Sequence, residues 1–132
     1  MAEAHNAAQV RRAVVEIWNQ GELGVADVLF ASDYINHAGL IPDLIRGPEA
    51  IKIGVAFYRT AFPHFQITMD ELTAKRDAVV LRWTARSGTP QGTLTGMLVC
   101  RFADGQIAES WMQWNQASVL TQLGLNPACG TL

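Results

Sequence analysis

The chain has 132 residues, 49% hydrophobic and 17% charged, with a formal charge of −2. That length lets one domain, 1–132, bury a core without a metal or a disulfide framework, and the weak negative charge offers no field to a nucleic acid. No apolar run reaches bilayer-spanning length, and the opening MAEAHNAAQVRR lacks the apolar stretch of a signal peptide. Cys100 and Cys129 have no metal-type spacing. A reduced cytoplasmic protein with no nucleic-acid or membrane partner is the expectation, with Cys100 as a small buried hydrophobe. The apolar excess predicts a cavity lining or a subunit interface.

In chain order, Val10, Val14, Ile17 and Trp18 form one helical stripe. Asn19-Gln20-Gly21 closes that helix, with Gly21 at a left-handed cap. A shorter helix is predicted over Gly24 to Ala31, and a short strand over Ser32 to His37. The loop GLIPDLIRGP leads to a helix start, with Gly47 as cap, Pro48 at the first position and Glu49 near the positive end of the dipole. Ile51, Val55, Tyr58 and Phe62 then share a face until Pro63 stops the helix. Beyond it the period becomes two. Strands are predicted at 65–70, 78–86, 93–102 and 107–115, with Asp104-Gly105 in a hairpin turn. Helices followed by an antiparallel meander predict an α+β fold: a curved, mostly antiparallel sheet wrapped around three N-terminal helices as a cone with an internal pocket.

The stretches DYINH (33–37), RGPEAIK (46–52), FYRTAFPHF (57–65), VVLRWTARSGT (79–89), VCRFADGQIAESW (99–111) and TQLGLNP (121–127) occur in an order that resembles the SnoaL-like polyketide cyclases of the NTF2-like superfamily. The resemblance implies a homodimer formed through the outer sheet face, a hydrophobic pocket, and chemistry on a polyketide-like ketone with no cofactor and no metal. It also implies an aspartate four residues after Trp111 as general acid/base. Here that position is Asn115. The family's GTH reads Gly88-Thr89-Pro90, the loop after it is shortened to QGTLTG, and FPD reads FPH with His64.

Asn115 cannot titrate usefully, but its amide can donate a hydrogen bond to a carbonyl or enolate oxygen, or hold a water. It is also a good helix cap. Gln113, two residues earlier, is expected on the same strand face as Trp111, turned into the pocket, with Trp114 on the outer face. His37 becomes the candidate base because it titrates near neutrality; a structural strand-end histidine is the competing reading. Asn36 adds an amide. Arg82 lies within an apolar strand and is expected to be buried and paired with Glu109 or Asp33, with polarising a bound substrate as the alternative role. Arg101 and Glu109 are expected to pair across strands. Tyr58, Phe62 and Trp83 are expected to supply pocket wall, with core packing as the alternative role.

Three functions follow as alternatives. The first is a cyclase or isomerase acting on an apolar ketone, with an enolate held by Asn115 and Gln113 and His37 as base. The second is a hydrolase or hydroxylase in which the two amides place a water. The third is a binder of hydrophobic small molecules that kept the cone and lost the chemistry.

Overall fold

A computed structural model describes residues 2–37, 45–86 and 93–114. Helix α1 (Ala2–Arg12) runs directly into a π-helical segment, Ala13–Asn19. The wider turn shows in the Gln20 N–H donating to the Val15 carbonyl at 3.1 Å, five residues back. Val10, Val14, Ile17 and Trp18 are all buried, as the stripe predicts. Gly21 follows at φ 76°, where only a residue without Cβ is comfortable. A side chain there would also press on the Arg59 guanidinium.

The second helix is shorter than the sequence suggests. A 3₁₀ turn, Leu23–Val25, and α2 (Ala26–Leu29) give way at once to β1 (Phe30–Asn36). Strand pairing to β5 claims Phe30 and Ala31, which propensity alone leaves to the helix. Helix α3 (Pro48–Ala61) starts behind Gly47 as predicted and buries Ile51 and Val55.

The remaining strands are β2 (Gln66–Lys75), β3 (Ala78–Arg86), β4 (Thr93–Ala103) and β5 (Gln106–Trp114). They pair as an antiparallel meander, and β1 adds to β5 in parallel, giving the order β1-β5-β4-β3-β2. Among the described residues β1 and β2 are edges, so the sheet is curved but open. Asp104 and Gly105 both have positive φ in the two-residue turn between β4 and β5, a conformation that matches the strand twist.

The pairing shifts register in three places: between Phe30 and Ile35 where β1 meets β5, and at single-residue bulges on β2 and β5. On β2 the pairing passes from Met69↔Trp83 to Glu71↔Arg82, leaving Asp70 as an extra residue. On β5 it passes from Ile107↔Phe102 to Glu109↔Arg101, leaving Ala108 extra. An extra residue bends the strand and exchanges its two faces beyond that point. The helices pack on the concave side, where Val79, Leu81, Trp83 and Ala85 of β3 are buried against them.

Candidate functional site

Two adjoining cavities lie between the helices and the sheet. The first, of ≈ 60 Å³, is bounded by apolar side chains and by Tyr34, Asn36, Tyr58 and Ser110. The second, of ≈ 40 Å³, is bounded chiefly by Phe65, Leu81, Trp83 and Leu94. Val14, Trp18, Tyr58, Leu98 and Met112 line both. Each is smaller than the roughly 150 Å³ cavity that admits benzene, so a ring-sized guest must displace a side chain. Met112, unbranched and in the shared wall, is the residue suited to yield.

Strand β1 supplies the polar side of the first cavity. Phe30, Tyr34 and Asn36 all line it, Tyr34 and Asn36 by period-two alternation and Phe30 from before the register shift in β1, across which Ser32 is exposed. The Phe30 and Tyr34 rings meet edge to face with centroids 4.7 Å apart. The Tyr34 hydroxyl lies 2.5 Å from the Ser110 hydroxyl, with both side chains buried. Two hydroxyls in one such contact use one proton between them, which leaves the other free for a third oxygen.

Burial pushes the Tyr34 phenol well above its ordinary value, against the opposing pull of the Ser110 hydrogen bond. Burial likewise pushes Tyr58 up to about 12 and the Cys100 thiol up to about 12. All three stay protonated at neutral pH. Among the described residues, neither cavity is lined by a carboxylate or an imidazole, and no cluster of His, Cys, Asp and Glu could hold a metal.

The expected orientation of the last strand is reversed. Trp111 is 41% exposed and Gln113 is exposed, whereas Ser110 and Met112 face the cavity. The cause is the bulge at Ala108. Counting by twos from buried Ile107 puts Trp111 and Gln113 inside, but the inserted residue turns them out. His37 stands next to Asn36 on β1 and therefore points the other way. It is exposed and stacks on Trp111 with ring centroids 4.8 Å apart and planes within 6°.

Its Nε2 lies 2.7 Å from Oε2 of Glu109, whose Oε1 accepts from Arg101 Nε at 2.7 Å. The Arg101–Glu109 pair expected from the sequence is present. The His37 hydrogen bond, followed by that of Arg101, holds the Glu109 carboxyl below its ordinary value. Arg82 is exposed, opposite Glu71 in the β2–β3 register, not buried against Glu109 or Asp33. Strand β3 turns its Leu81 and Trp83 side to the core and Arg82 to the outside.

Asn36, Tyr58 and Trp83 therefore line the cavities, while His37, Arg82, Trp111 and Gln113 sit on the other face. Phe62 is buried in core contact with Phe65, ring centroids 6.5 Å apart. Asn115, Cys129 and the Gly88-Thr89-Pro90 loop lie outside the described residues, as does the side chain of Trp114. Sequence reasoning missed Tyr34 and Ser110. Tyr34 was within reach, since it shares the parity of Asn36. Ser110 was not, because its orientation depends on the bulge.

The profile of the SnoaL-like polyketide cyclases matches residues 8–123. The structure is similar to a candidate polyketide cyclase from Bacillus cereus ATCC 10987, with TM-score 0.80 and 20% identity, over 92% of this chain and 82% of that one. It is similar to IdmH, a candidate polyketide cyclase from Streptomyces antibioticus, with TM-score 0.72 and 26% identity over 91% and 99% of the two chains. AclR, a candidate hydroxylase from Streptomyces galilaeus, superposes with TM-score 0.72 and 22% identity, over 92% of this chain and 97% of that one. Among curated proteins none matches. A family profile that spans nearly all of the sequence, on a curved sheet that wraps helices around a hollow, leads to one conclusion: the chain belongs to the SnoaL-like polyketide cyclase family.

Proposed function

We propose that the chain takes an apolar, ketone-bearing small molecule into the first cavity and holds its carbonyl oxygen on the Tyr34–Ser110 hydroxyl pair, as a cyclase or isomerase working without a cofactor. The observation that carries this reading is the 2.5 Å contact between two buried hydroxyls at the wall of an otherwise apolar cavity. Neutral donors in an apolar cavity bind a ketone modestly and an enolate strongly, because their hydrogen bonds gain strength as negative charge develops on the oxygen; the α-proton itself passes to a water or hydroxide admitted from solvent, since no described wall residue is a base. Asn115 is assigned as a further amide donor. His37, Trp111 and Gln113 are assigned to the outer face, where exposed Met97 and Trp111 suit contact with a second copy of the chain.

Exchange of the α-protons of an acetylnaphthalene into heavy water, followed by NMR, tests the reading. The wild type should speed exchange, and Tyr34→Phe should slow it by about 10²-fold, the usual scale for losing one oxyanion donor. Thermal stabilisation by the ketone with no enhanced exchange would favour the competing reading, a binder without chemistry. That reading draws support from cavity walls whose described residues hold no group that titrates near neutrality. Neither stabilisation nor exchange would dismiss both.

A further inference from the structure

Helix α3 carries a glycine that its own geometry does not require. Gly54 stands in the middle of Pro48–Ala61, where glycine costs stability relative to alanine. Neither usual reason for that cost applies. Positive φ is found at Gly21, Gly47 and Gly105, not at Gly54. Close approach of a neighbour is missing too. A Cβ built at Gly54 meets no atom of the described residues within 4 Å, whereas one at Gly47 or Gly96 runs into a backbone carbonyl.

The room in front of Gly54 belongs to the first cavity. Residues three and four apart share a helix face, and Ile51 and Tyr58 stand at those distances on either side of Gly54. All three line that cavity. Ile51 is buried and Tyr58 half-buried, so this stretch of α3 faces inward. A side chain at 54 would therefore take space from a cavity of only ≈ 60 Å³. The methyl that would strengthen the helix would also fill the site.

The shape of the gap limits what can use it. Between the Ile51 and Tyr58 side chains α3 presents bare backbone, a shallow slot one methyl deep. The sheet contributes Leu98, Cys100, Ser110 and Met112 to the same cavity. A planar ring can lie with one face against the backbone at Gly54, close enough to gain dispersion contacts along its whole width, while its carbonyl substituent reaches Ser110. A slim alkyl chain has no need of the slot.

We propose that Gly54 is the specificity-determining position of the first cavity, its missing side chain seating a planar ring against the α3 backbone, so that the ligand is an aromatic ketone in preference to an aliphatic one. The proposal rests on the reading above that the ligand occupies the first cavity.

The test compares the full chain with Gly54→Ala, using an acetylnaphthalene and a straight-chain methyl ketone as probes in NMR titrations. Without ligand, Gly54→Ala should melt about 2–4 °C above the wild type, as expected when a helix glycine with free space before it becomes alanine. It should bind the acetylnaphthalene about tenfold more weakly, the scale for one carbon too many in an apolar pocket. The straight-chain ketone should lose less, so that the ratio of the two affinities moves at least about threefold in its favour. Gly24 supplies the control: it lies outside both cavities, and a Cβ there likewise meets nothing within 4 Å. Gly24→Ala should bind both probes as the wild type does.

A lower melting temperature for Gly54→Ala would mean that the methyl meets protein, and an unmoved ratio would mean altered helix stiffness in place of lost space. Either result overturns the proposal. Tyr34→Phe separates it from the hydroxyl-pair reading. If that variant binds the acetylnaphthalene as tightly as the wild type while Gly54→Ala binds it more weakly, the hydroxyl pair falls and the slot stands. The reverse pattern removes the slot and keeps the pair. Failure of the acetylnaphthalene to bind the wild type dismisses both.

Discussion

The side-chain amide of Asn19 pairs with both backbone groups of Ile67: its Oδ1 accepts from the Ile67 N–H at 2.7 Å, and its Nδ2 donates to the Ile67 carbonyl at 3.0 Å. Strand β2 is an edge of the sheet, so one side chain at a helix end stands in for a neighbouring strand. Arg59 of α3 donates to the Trp18 and Asn19 carbonyls at 2.7 and 2.8 Å, satisfying acceptors that the helix end leaves free. Asn19→Ala should lower unfolding free energy by about 1–3 kcal/mol in urea titration, since two part-buried backbone groups lose their partner. Asn19→Asp keeps the acceptor and should fall between the two. A wild-type midpoint in the alanine variant would contradict this account.

Gly96→Ala should destabilise the fold by about 2 kcal/mol or more, because the added methyl meets the Trp83 ring on one side and the Gln113 carbonyl on the other. The ring can be shortened and the carbonyl cannot. The double variant Gly96→Ala/Trp83→Phe should therefore recover part of the loss, visible as a non-additive melting temperature. Strict additivity would show that the indole does not press on β4.

The Tyr34–Ser110 contact makes a similar test of pairing. Tyr34→Phe leaves a buried serine hydroxyl without its partner and should cost about 1–3 kcal/mol. Removing both oxygens, in Tyr34→Phe/Ser110→Ala, should cost less than the sum of the two single changes. Denaturant midpoints for the four proteins complete the cycle, and additive losses would mean that the hydroxyls do not interact.

On the outer face, stability should depend on acid through Glu109. Its carboxyl is held below the ordinary value by His37 and then Arg101. A depressed folded pKa stabilises above the unfolded value, about 4.3 for glutamate, and that contribution is lost as pH falls through the folded pKa. The melting temperature of Glu109→Gln should thus trail the wild type at pH 7, and the gap should close as the pH falls below the unfolded value and through the lowered folded pKa. His37→Ala should raise the Glu109 pKa, measurable by NMR titration, and change Trp111 fluorescence by removing its stacked neighbour. Binding of a ketone in the cavity should be unaffected by His37→Ala, because Asn36, not His37, faces that space.

The elements were legible wherever one local signal decided them. Gly47-Pro48 starts α3, Pro63 ends it, and the spacing from Ile51 to Phe62 gives its inner face. Strand β3 falls on 78–86 as its composition indicates. The weaker boundaries are those that pairing settles. Phe30 and Ala31 join a strand because β5 is there to receive them, and β2 runs on to Lys75 because β3 folds back along it.

The candidate site divides along the same line. Residue types, helix faces and the family's ordered stretches are properties of the chain read locally; they pointed to Asn36 as an amide and to Tyr58, Phe62 and Trp83 as wall, and of these Asn36, Tyr58 and Trp83 line the cavities while Phe62 packs in the core. Which way a strand residue points beyond an irregularity is not local. Ala108 is spare only in relation to β4, and that single residue turns Ser110 and Met112 to the cavity and Trp111 and Gln113 away from it. The sequence by itself determined the helices, the strands and an apolar interior to enclose. Only the tertiary structure decided which polar atoms reach that interior, because strand faces alternate residue by residue and one insertion, invisible without the partner strand, reverses them all.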